Sequence, residues 1–297
     1  MEIRPARPDD APALVALRAV VYPYLVRGVE STRKMISEPP PGENWAAFVA
    51  EIDGRLVGWA SSYLHASTSE PGFGEISLLH VHPGYRRQGA GSALFAACVR
   101  HLRQAGARRV RTFALEQSLE YARRRGFEPS RAVHYSALPL RPAPAVPPTP
   151  PGVRLVPLSD LDPMRLYEAH VAAAADEPGD VAPDANSYES WRYGVWTDPG
   201  LDRCASVAAT ANGEIIGFTL VTRDGERMWS EMTATLPQHR GRGLALLVKS
   251  AALQRAAEGG VTVAYTSNDE SNAPMLAVNS RLGYCRVATQ WSCLFSR

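Results

Sequence analysis

Cysteine is scarce in this 297-residue chain: Cys98, Cys204, Cys285 and Cys293 stand far apart, with no Cys-x-x-Cys pair among them. That spacing excludes a zinc-type ligand set and leaves no disulfide framework, so no metal is expected. Long apolar runs are missing too. No stretch of about 18 apolar residues occurs, so no membrane-spanning helix is expected. The opening segment MEIRPARPDD is polar where a secretory signal needs an apolar run, which points to a cytoplasmic protein. Charge of one sign is also lacking. The 32 Lys and Arg against 30 Asp and Glu leave +2, no electrostatic case for nucleic acid as the main partner.

The rest is ordinary globular composition, 45% hydrophobic and 21% charged, in a chain long enough for two domains of roughly 150 residues. Proline marks the seam. From Leu138 to Gly152 the chain reads LPLRPAPAVPPTPPG, with proline at 139, 142, 144, 147, 148, 150 and 151. Such density forbids helix and central strand, leaving an extended spacer or a surface loop. The division expected is a domain over 1–138, a linker over 139–151 and a second domain over 152–297.

The same landmarks recur on both sides of the seam. Hairpin signals lie in FVAEIDGRLVGWAS at Asp53-Gly54 and in VAATANGEIIGFTL at Asn212-Gly213. Arg/Gly-rich loops open long helices in RRQGAGSALF and RGRGLALLVK, and Gly-aromatic steps close each half at Gly126-Phe127 and Gly283-Tyr284. Gly54 and Gly213 are 159 residues apart, Gly89 and Gly243 are 154 apart, and Gly126 and Gly283 are 157 apart. Near-constant spacing indicates a duplicated domain. In the first half the pattern predicts strands near 1–5, 46–52, 55–64, 74–82, 108–114 and 129–138. Helices are predicted near 10–20, 29–37, 89–105 and 117–125, and in the second half near 242–257 and 272–281. The class is α/β, a mixed sheet with an antiparallel front and a parallel crossover in each half.

Arg86-Arg87-Gln88-Gly89-Ala90-Gly91, followed by Ser92, and Arg240-Gly241-Arg242-Gly243-Leu244-Ala245 both fit Arg/Gln-x-x-Gly-x-Gly/Ala. Glycine permits positive φ and close backbone approach, while free N–H groups and the helix dipole favour an anion such as a diphosphate. A turn that merely begins a helix would look the same from one copy. Lys249-Ser250 lacks the glycine of a Walker loop and lies inside the helix, and the loops follow the wrong strand for a dinucleotide fingerprint.

With these residues in view, both halves resemble the GNAT superfamily of acetyl-coenzyme A-dependent N-acetyltransferases, in the tandem, mycothiol-synthase-like arrangement. EISLLHVHPGYRRQGAGSAL and EMTATLPQHRGRGLALLVK resemble that family's fourth strand and pyrophosphate loop, and TSNDESNAPMLAVNSRLGY resembles its fifth strand and following helix. The resemblance implies acetyl-coenzyme A in a V-shaped split between the fourth and fifth strands. Main-chain groups of Leu79, His80 and Val81, or of Thr233, Ala234 and Thr235, would then bond its pantetheine arm. It also implies a small-molecule amine as acceptor, a monomer or homodimer, and no metal.

Acyl transfer to an amine needs a base, because an alkylammonium is protonated at neutral pH, and it needs stabilisation of oxyanion and departing thiolate. Glu75 and Glu231 precede the loop arginines by odd offsets, so strand alternation puts both on equivalent faces, as base or as surface ion-pair partner. His80 and His82 belong to a proton relay or to the surface. Many relatives place a tyrosine four residues before the Gly-aromatic step, where this chain has Ala122 and Asn279. That leaves water or another donor such as Tyr284. The family's helix-start asparagine is kept as Asn272, also a good N-cap, while the first half has Leu115. The resemblance puts Asn272 and Asn279 beside the cofactor, and the second half is the favoured catalyst. Asp176, Glu177 and Asp180 would attract the ammonium, with Tyr188, Trp191, Tyr193 and Trp196 as an aromatic wall, unless they are a plain acidic loop and amphipathic helix. The competing class is a non-catalytic module that binds or senses acyl-coenzyme A.

Overall fold

The computed structural model describes residues 1–68, 70–174, 178–181 and 186–296. Its front half runs β1 (Glu2–Pro5), α1 (Ala11–Val21), α2 (Val29–Ser37), β2 (Ala46–Ile52), β3 (Arg55–Leu64), β4 (Phe73–Val81), α3 (Ala90–Gln104), β5 (Arg109–Leu115), α4 (Leu119–Arg123) and β6 (Glu128–Pro139). The rest runs β7 (Val153–Pro157), α5 (Pro163–Ala174), α6 (Tyr188–Trp191), β8 (Val207–Ala211), β9 (Glu214–Asp224), β10 (Arg227–Thr235), α7 (Leu244–Glu258), β11 (Val263–Asp269), α8 (Ala273–Leu282) and β12 (Cys285–Ser296). A single π turn, Arg192–Trp196, continues α6.

The chain divides into two compact units, one of 1–133, 180–182 and 289–297, the other of 134–179 and 183–288. In the first, strand order is β1-β2-β3-β4-β5, then β12 from Thr289 onward, then the start of β6. Gln290 to Ser296 pair antiparallel with Leu115 to Arg109, so the strand beside β5 comes from the chain's far end. In the second, the order from the other edge is β7-β8-β9-β10-β11, then β6 from His134 onward. β4/β5 and β10/β11 pair in parallel; β1 to β4 and β7 to β10 form antiparallel runs.

Local chemistry explains the elements. Asp53 and Gly54, and Asn212 and Gly213, all have positive φ (51°, 73°, 51° and 80°), as a two-residue hairpin turn matched to strand twist requires. α1 buries Leu14 and Leu17 on Val49 and Trp59 on one face of the first sheet. α3 buries Leu94, Cys98 and Leu102, one apolar stripe at spacing four, on the other. The second unit repeats this with Leu166, Ala169 and Trp191 on one face and Leu244, Leu247, Val248 and Ala252 on the other. Each unit is thus helix, sheet, helix, with its core in two layers. Among the described residues, no helix is long and apolar enough to cross a membrane and no group of three His, Cys, Asp or Glu could hold a metal.

Candidate active site

Each unit has one place where a parallel strand pair comes apart. β4 and β5 pair from Phe73–Arg109 to Ile76–Thr112, after which β4 runs on to Val81 without β5. β10 and β11 pair from Arg227–Val263 to Trp229–Tyr265, and β10 runs on to Thr235. A threonine hydroxyl plugs each apex: Thr112 Oγ1 donates to the Ile76 carbonyl at 2.9 Å and Thr266 Oγ1 to the Ser230 carbonyl at 3.3 Å. These pairs share the 154-residue separation of the loop glycines.

Beyond each apex the strand carries a bulge, between Ser77 and His80 in β4 and between Ser230 and Thr233 in β10. His80 and Val81, and Thr233, Ala234 and Thr235, lie past it, paired with β3 or β9 on one side and facing the opened split with the other, while Leu79 lies within the first bulge. Two glycines hold these walls. A Cβ on Gly58 would sit 2.9 Å from the His80 carbonyl oxygen, and one on Gly217 would sit 3.1 Å from that of Ala234. Only glycine lets the neighbouring strand come so close.

The Arg/Gly loops end where the split opens. Gly89 (φ 90°) and Gly243 (φ 74°) are left-handed N-caps, and Arg87 (φ 62°) takes the conformation that Gly241 (φ 75°) takes in the second loop. The first helical bonds are Ala93 N–H to Gly89 and Leu247 N–H to Gly243, each 3.0 Å. The amides of Ala90, Gly91 and Ser92, and of Leu244, Ala245 and Leu246, therefore have no partner within their helices. Arg86 Nε and Arg240 Nε donate to the Val81 and Thr235 carbonyls at 3.2 and 3.3 Å, tying each loop to its strand. Ser92 Oγ in turn accepts from Arg125 Nη2 at 2.9 Å, and Arg125 stacks 3.4 Å over Tyr121. Left-handed glycine, open amides and splayed strands together fit a diphosphate with an extended arm, the shape of acetyl-coenzyme A.

The two strand glutamates have different surroundings. Glu75 is 4% exposed, and its Oε2 accepts from Arg111 Nη2 at 2.6 Å and Nε at 3.0 Å, with His65 Nε2 at 3.2 Å. Burial pushes the carboxyl up, but the His65 hydrogen bond and the Arg111 charge outweigh it and hold it at about 2. A carboxylate so held is a poor base at neutral pH. Its stability contribution is present above its ordinary value of 4.5 and lost as pH falls toward about 2. Glu75→Gln is expected to destabilise the protein at neutral pH, and this deficit should vanish over that acid range, as read from denaturant midpoints. Beside it, burial and the charge of Glu75 raise the Glu43 carboxyl to about 7. His80 does not form a relay: it is buried between Tyr22 and Trp59, with ring centroids 5.5 and 6.5 Å away, and burial with nearby Arg18 and Arg86 lowers it to about 3. His82 instead caps a turn through Gly84 N–H at 3.2 Å.

Glu231 is exposed on β10 at the bulge, and its Oε1 accepts from Thr222 Oγ1 at 3.3 Å. Ser230 points the other way, its hydroxyl 3.2 Å from the Tyr284 hydroxyl in the α7 layer, so alternation turns Glu231 toward the α5/α6 layer. Tyr284 is buried. Burial, partly offset by Ser230, pushes its phenol up. Asn272 caps α8, accepting from Met275 N–H at 3.2 Å. Asn279 is buried between Lys249 and Asn268.

The structure does not bring the expected acceptor residues together. Asp180 belongs to the first unit, where Ser130 and Ser292 donate to it at 2.7 and 2.5 Å and Arg131 and Arg111 lie at 3.2 and 3.6 Å. Both its oxygens are thus occupied, which leaves none for an ammonium. Trp191 is 1% exposed, a core ring among Tyr167, Tyr188 and Trp196 rather than an open wall. Asp176 and Glu177 lie outside the described residues. Gly58, Gly217, Thr112, Thr266, Arg111 and Lys249 were not singled out as site residues from sequence. The threonines and glycines carried a findable signal, since each pair recurs near the duplication spacing.

The acetyltransferase (GNAT) family model matches residues 16–127 and 166–284. A mycothiol acetyltransferase of Thermobispora bispora is 27% identical over 301 residues, covering 96% of both chains. Another, of Catenulispora acidiphila, is 25% identical over 242 residues, covering 78% of this chain and 74% of its own. Among solved structures, the fold is shared with a tandem GNAT protein from the clavulanic acid biosynthesis pathway, at TM-score 0.76, 22% identity and coverage of 99% and 97%.

Proposed function

The chain belongs to the GNAT acetyltransferase family and is an N-acetyltransferase, and within that activity we propose that its second unit moves an acetyl group from acetyl-coenzyme A to a primary amine of a small molecule. The observation that carries this reading is the second split, with its amide cradle at Leu244 to Leu246 and an exposed carboxylate, Glu231, on the opposite face of the same strand. The thioester supplies an activated acetyl carbon. Gly243, Leu244 and Ala245 amides, with Arg240 and Arg242, hold the diphosphate, and Thr233 to Thr235 main-chain groups hold the extended arm. Glu231 takes the proton the ammonium must lose before nitrogen attacks; the C–N bond forms, the C–S bond breaks, and the electron pair leaves on sulfur. The relatives named mycothiol acetyltransferase support acetyl transfer to a small-molecule acceptor. At the position equivalent to Glu231 the first unit has Ser77, and its own strand carboxylate, Glu75, two residues earlier, is ion-paired with Arg111, which supports a structural or binding role there.

The test is calorimetry with acetyl-coenzyme A together with release of free thiol across a panel of small amines. Binding with amine-dependent thiol release supports the reading. Binding without release from any amine would favour a sensing module, and no binding at millimolar ligand would remove both.

Gly217→Ala probes the wall directly. Its Cβ meets the Ala234 carbonyl at 3.1 Å, so the strand must shift by tenths of an ångström. We expect a stability loss of about 1–3 kcal/mol and acetyl-coenzyme A affinity lowered about 10-fold. Gly213→Ala, at φ 80° with open space around it, should cost stability alone. Equal affinity in the two variants would remove Ala234 from the cofactor site.

A further inference from the structure

The chain has only two lysines, Lys34 and Lys249, among 32 basic residues, and one of the two is buried inside α7. Lys249 is 1% exposed; its Nζ donates to Asn279 Oδ1 at 2.7 Å and stands 5.0 Å from the centre of the Tyr284 ring. Among the described residues no carboxylate pairs with it. An ammonium buried this way lowers stability, and methionine would fill the same space without that penalty. Burial alone lowers it to about 7, a property arginine in its place would not have.

The geometry around it is directional. An ammonium only donates, so the Asn279 oxygen must face Lys249 and the amide nitrogen must face away. Asn279 Nδ2 then donates one hydrogen to Asn268 Oδ1 at 2.5 Å; the second has no acceptor among the described residues. Asn268 stands three residues past Tyr265, the last position at which β11 pairs with β10, and by strand alternation shares the face of Ala264, which packs in the α7 layer. The Asn279 amide therefore lies on the α7 side of the opened split. It also occupies the position, four residues before Gly283, where a hydroxyl donor was expected and is missing.

We propose that Lys249 is a positioning residue of the acyl-transfer site, holding the Asn279 amide so that its uncommitted N–H meets the sulfur that departs as the acetyl group moves to the amine. The inference rests on the proposed second-unit reaction. The C–S electron pair goes to sulfur, the Asn279 N–H and the field of the ammonium behind it stabilise that charge, and the proton shed by the amine goes to Glu231. The groups facing Lys249 are Asn279 from α8 and Tyr284 ahead of β12. Only Tyr284 of these titrates, and burial keeps its phenol neutral.

The experiment follows ionisation of the coenzyme A thiol, bound to the full chain, by thiolate ultraviolet absorbance against pH. Calorimetry and steady-state kinetics accompany it, in wild type, Lys249→Met, Asn279→Leu and the double variant. In wild type the bound thiol should ionise at lower pH than free coenzyme A. Either single variant should raise that midpoint by about one pH unit and lower kcat about 10-fold, with KM for acetyl-coenzyme A changed less than about 3-fold. The double variant should be no worse than either single one, because the two residues act as one unit. Lys249→Met should melt at or above wild type; if it does not fold, the same readings on Asn279→Leu decide. A bound-thiol midpoint that no variant moves overturns the inference, even if activity falls, and leaves the proposed reaction standing. Failure of the wild type to bind coenzyme A removes the reaction and the inference together.

Discussion

Arg240→Ala combined with Gly243→Val is expected to abolish acetyl transfer, while Arg86→Ala with Gly89→Val leaves most of it. The two loops are built alike, each with a left-handed glycine cap and an arginine tied to the strand-end carbonyl, so binding alone would not separate them. What differs is the chemistry within reach. The first unit offers Glu75, locked against Arg111 and His65, and a buried neutral His80. The second offers an exposed Glu231 and the Lys249–Asn279–Asn268 network. At Gly243 no atom lies within 4 Å of an added Cβ, so valine acts there through backbone strain at φ 74° and by covering the amides that would hold the diphosphate. We expect a loss above about 100-fold (~2.7 kcal/mol) for the second-unit pair and below about 3-fold for the first-unit pair. Circular dichroism and denaturant midpoints must show both variants folded, since a β-branched residue at positive φ costs stability in either loop. A dead first-unit variant would move the chemistry to that unit and make its buried carboxyl groups, Glu43 and Glu75, the ones to study.

Much of this arrangement was legible in the sequence because it is local. The hairpin dipeptides, the apolar stripe of α3 and the glycines that cap α3 and α7 each depend on a few neighbouring residues, and the duplication repeated every one of them. What was not legible depends on distant partners. The acidic neighbours of Asp180 suggest an ammonium site, but two serines and two arginines from far along the chain claim its oxygens. Trp191 packs in the core, and a spaced set of aromatics looks the same in sequence whether it packs inward or faces solvent. Glu75 and Glu231 each lie on the face of their own strand that points away from the α3 or α7 layer. Their surroundings diverge because Arg111, across the β4/β5 pair, bonds the first, while the second is exposed and accepts from Thr222. The strand beside β5 comes from the chain's end, a pairing no local pattern encodes. Lys249 fails as a phosphate motif, and its clue in the sequence is a lone charge on an otherwise apolar helix face.

Glu231→Gln is expected to lower kcat/KM by about 100-fold near neutral pH, with the deficit shrinking as pH rises. An alkylammonium with pKa near ~10 is almost wholly protonated at neutral pH, and only its free base attacks the thioester. Glu231 is exposed on the strand that lines the split and accepts from the Thr222 hydroxyl, whereas Glu75 is buried against a guanidinium. Its exposure lets it take the proton, directly or through one water. Glutamine keeps the size and the Thr222 hydrogen bond but removes the basic oxygen, so a folding defect is not expected. At high pH the free amine becomes abundant, the need for a base fades, and the variant should approach wild type. Glu75→Gln, by contrast, should change stability without changing the shape of the pH–rate profile. The measurement is kcat/KM against pH for both variants with one saturating concentration of acetyl-coenzyme A. A loss that is constant across pH would assign Glu231 to holding the β10 bulge in place, and no loss at all would leave proton removal to water.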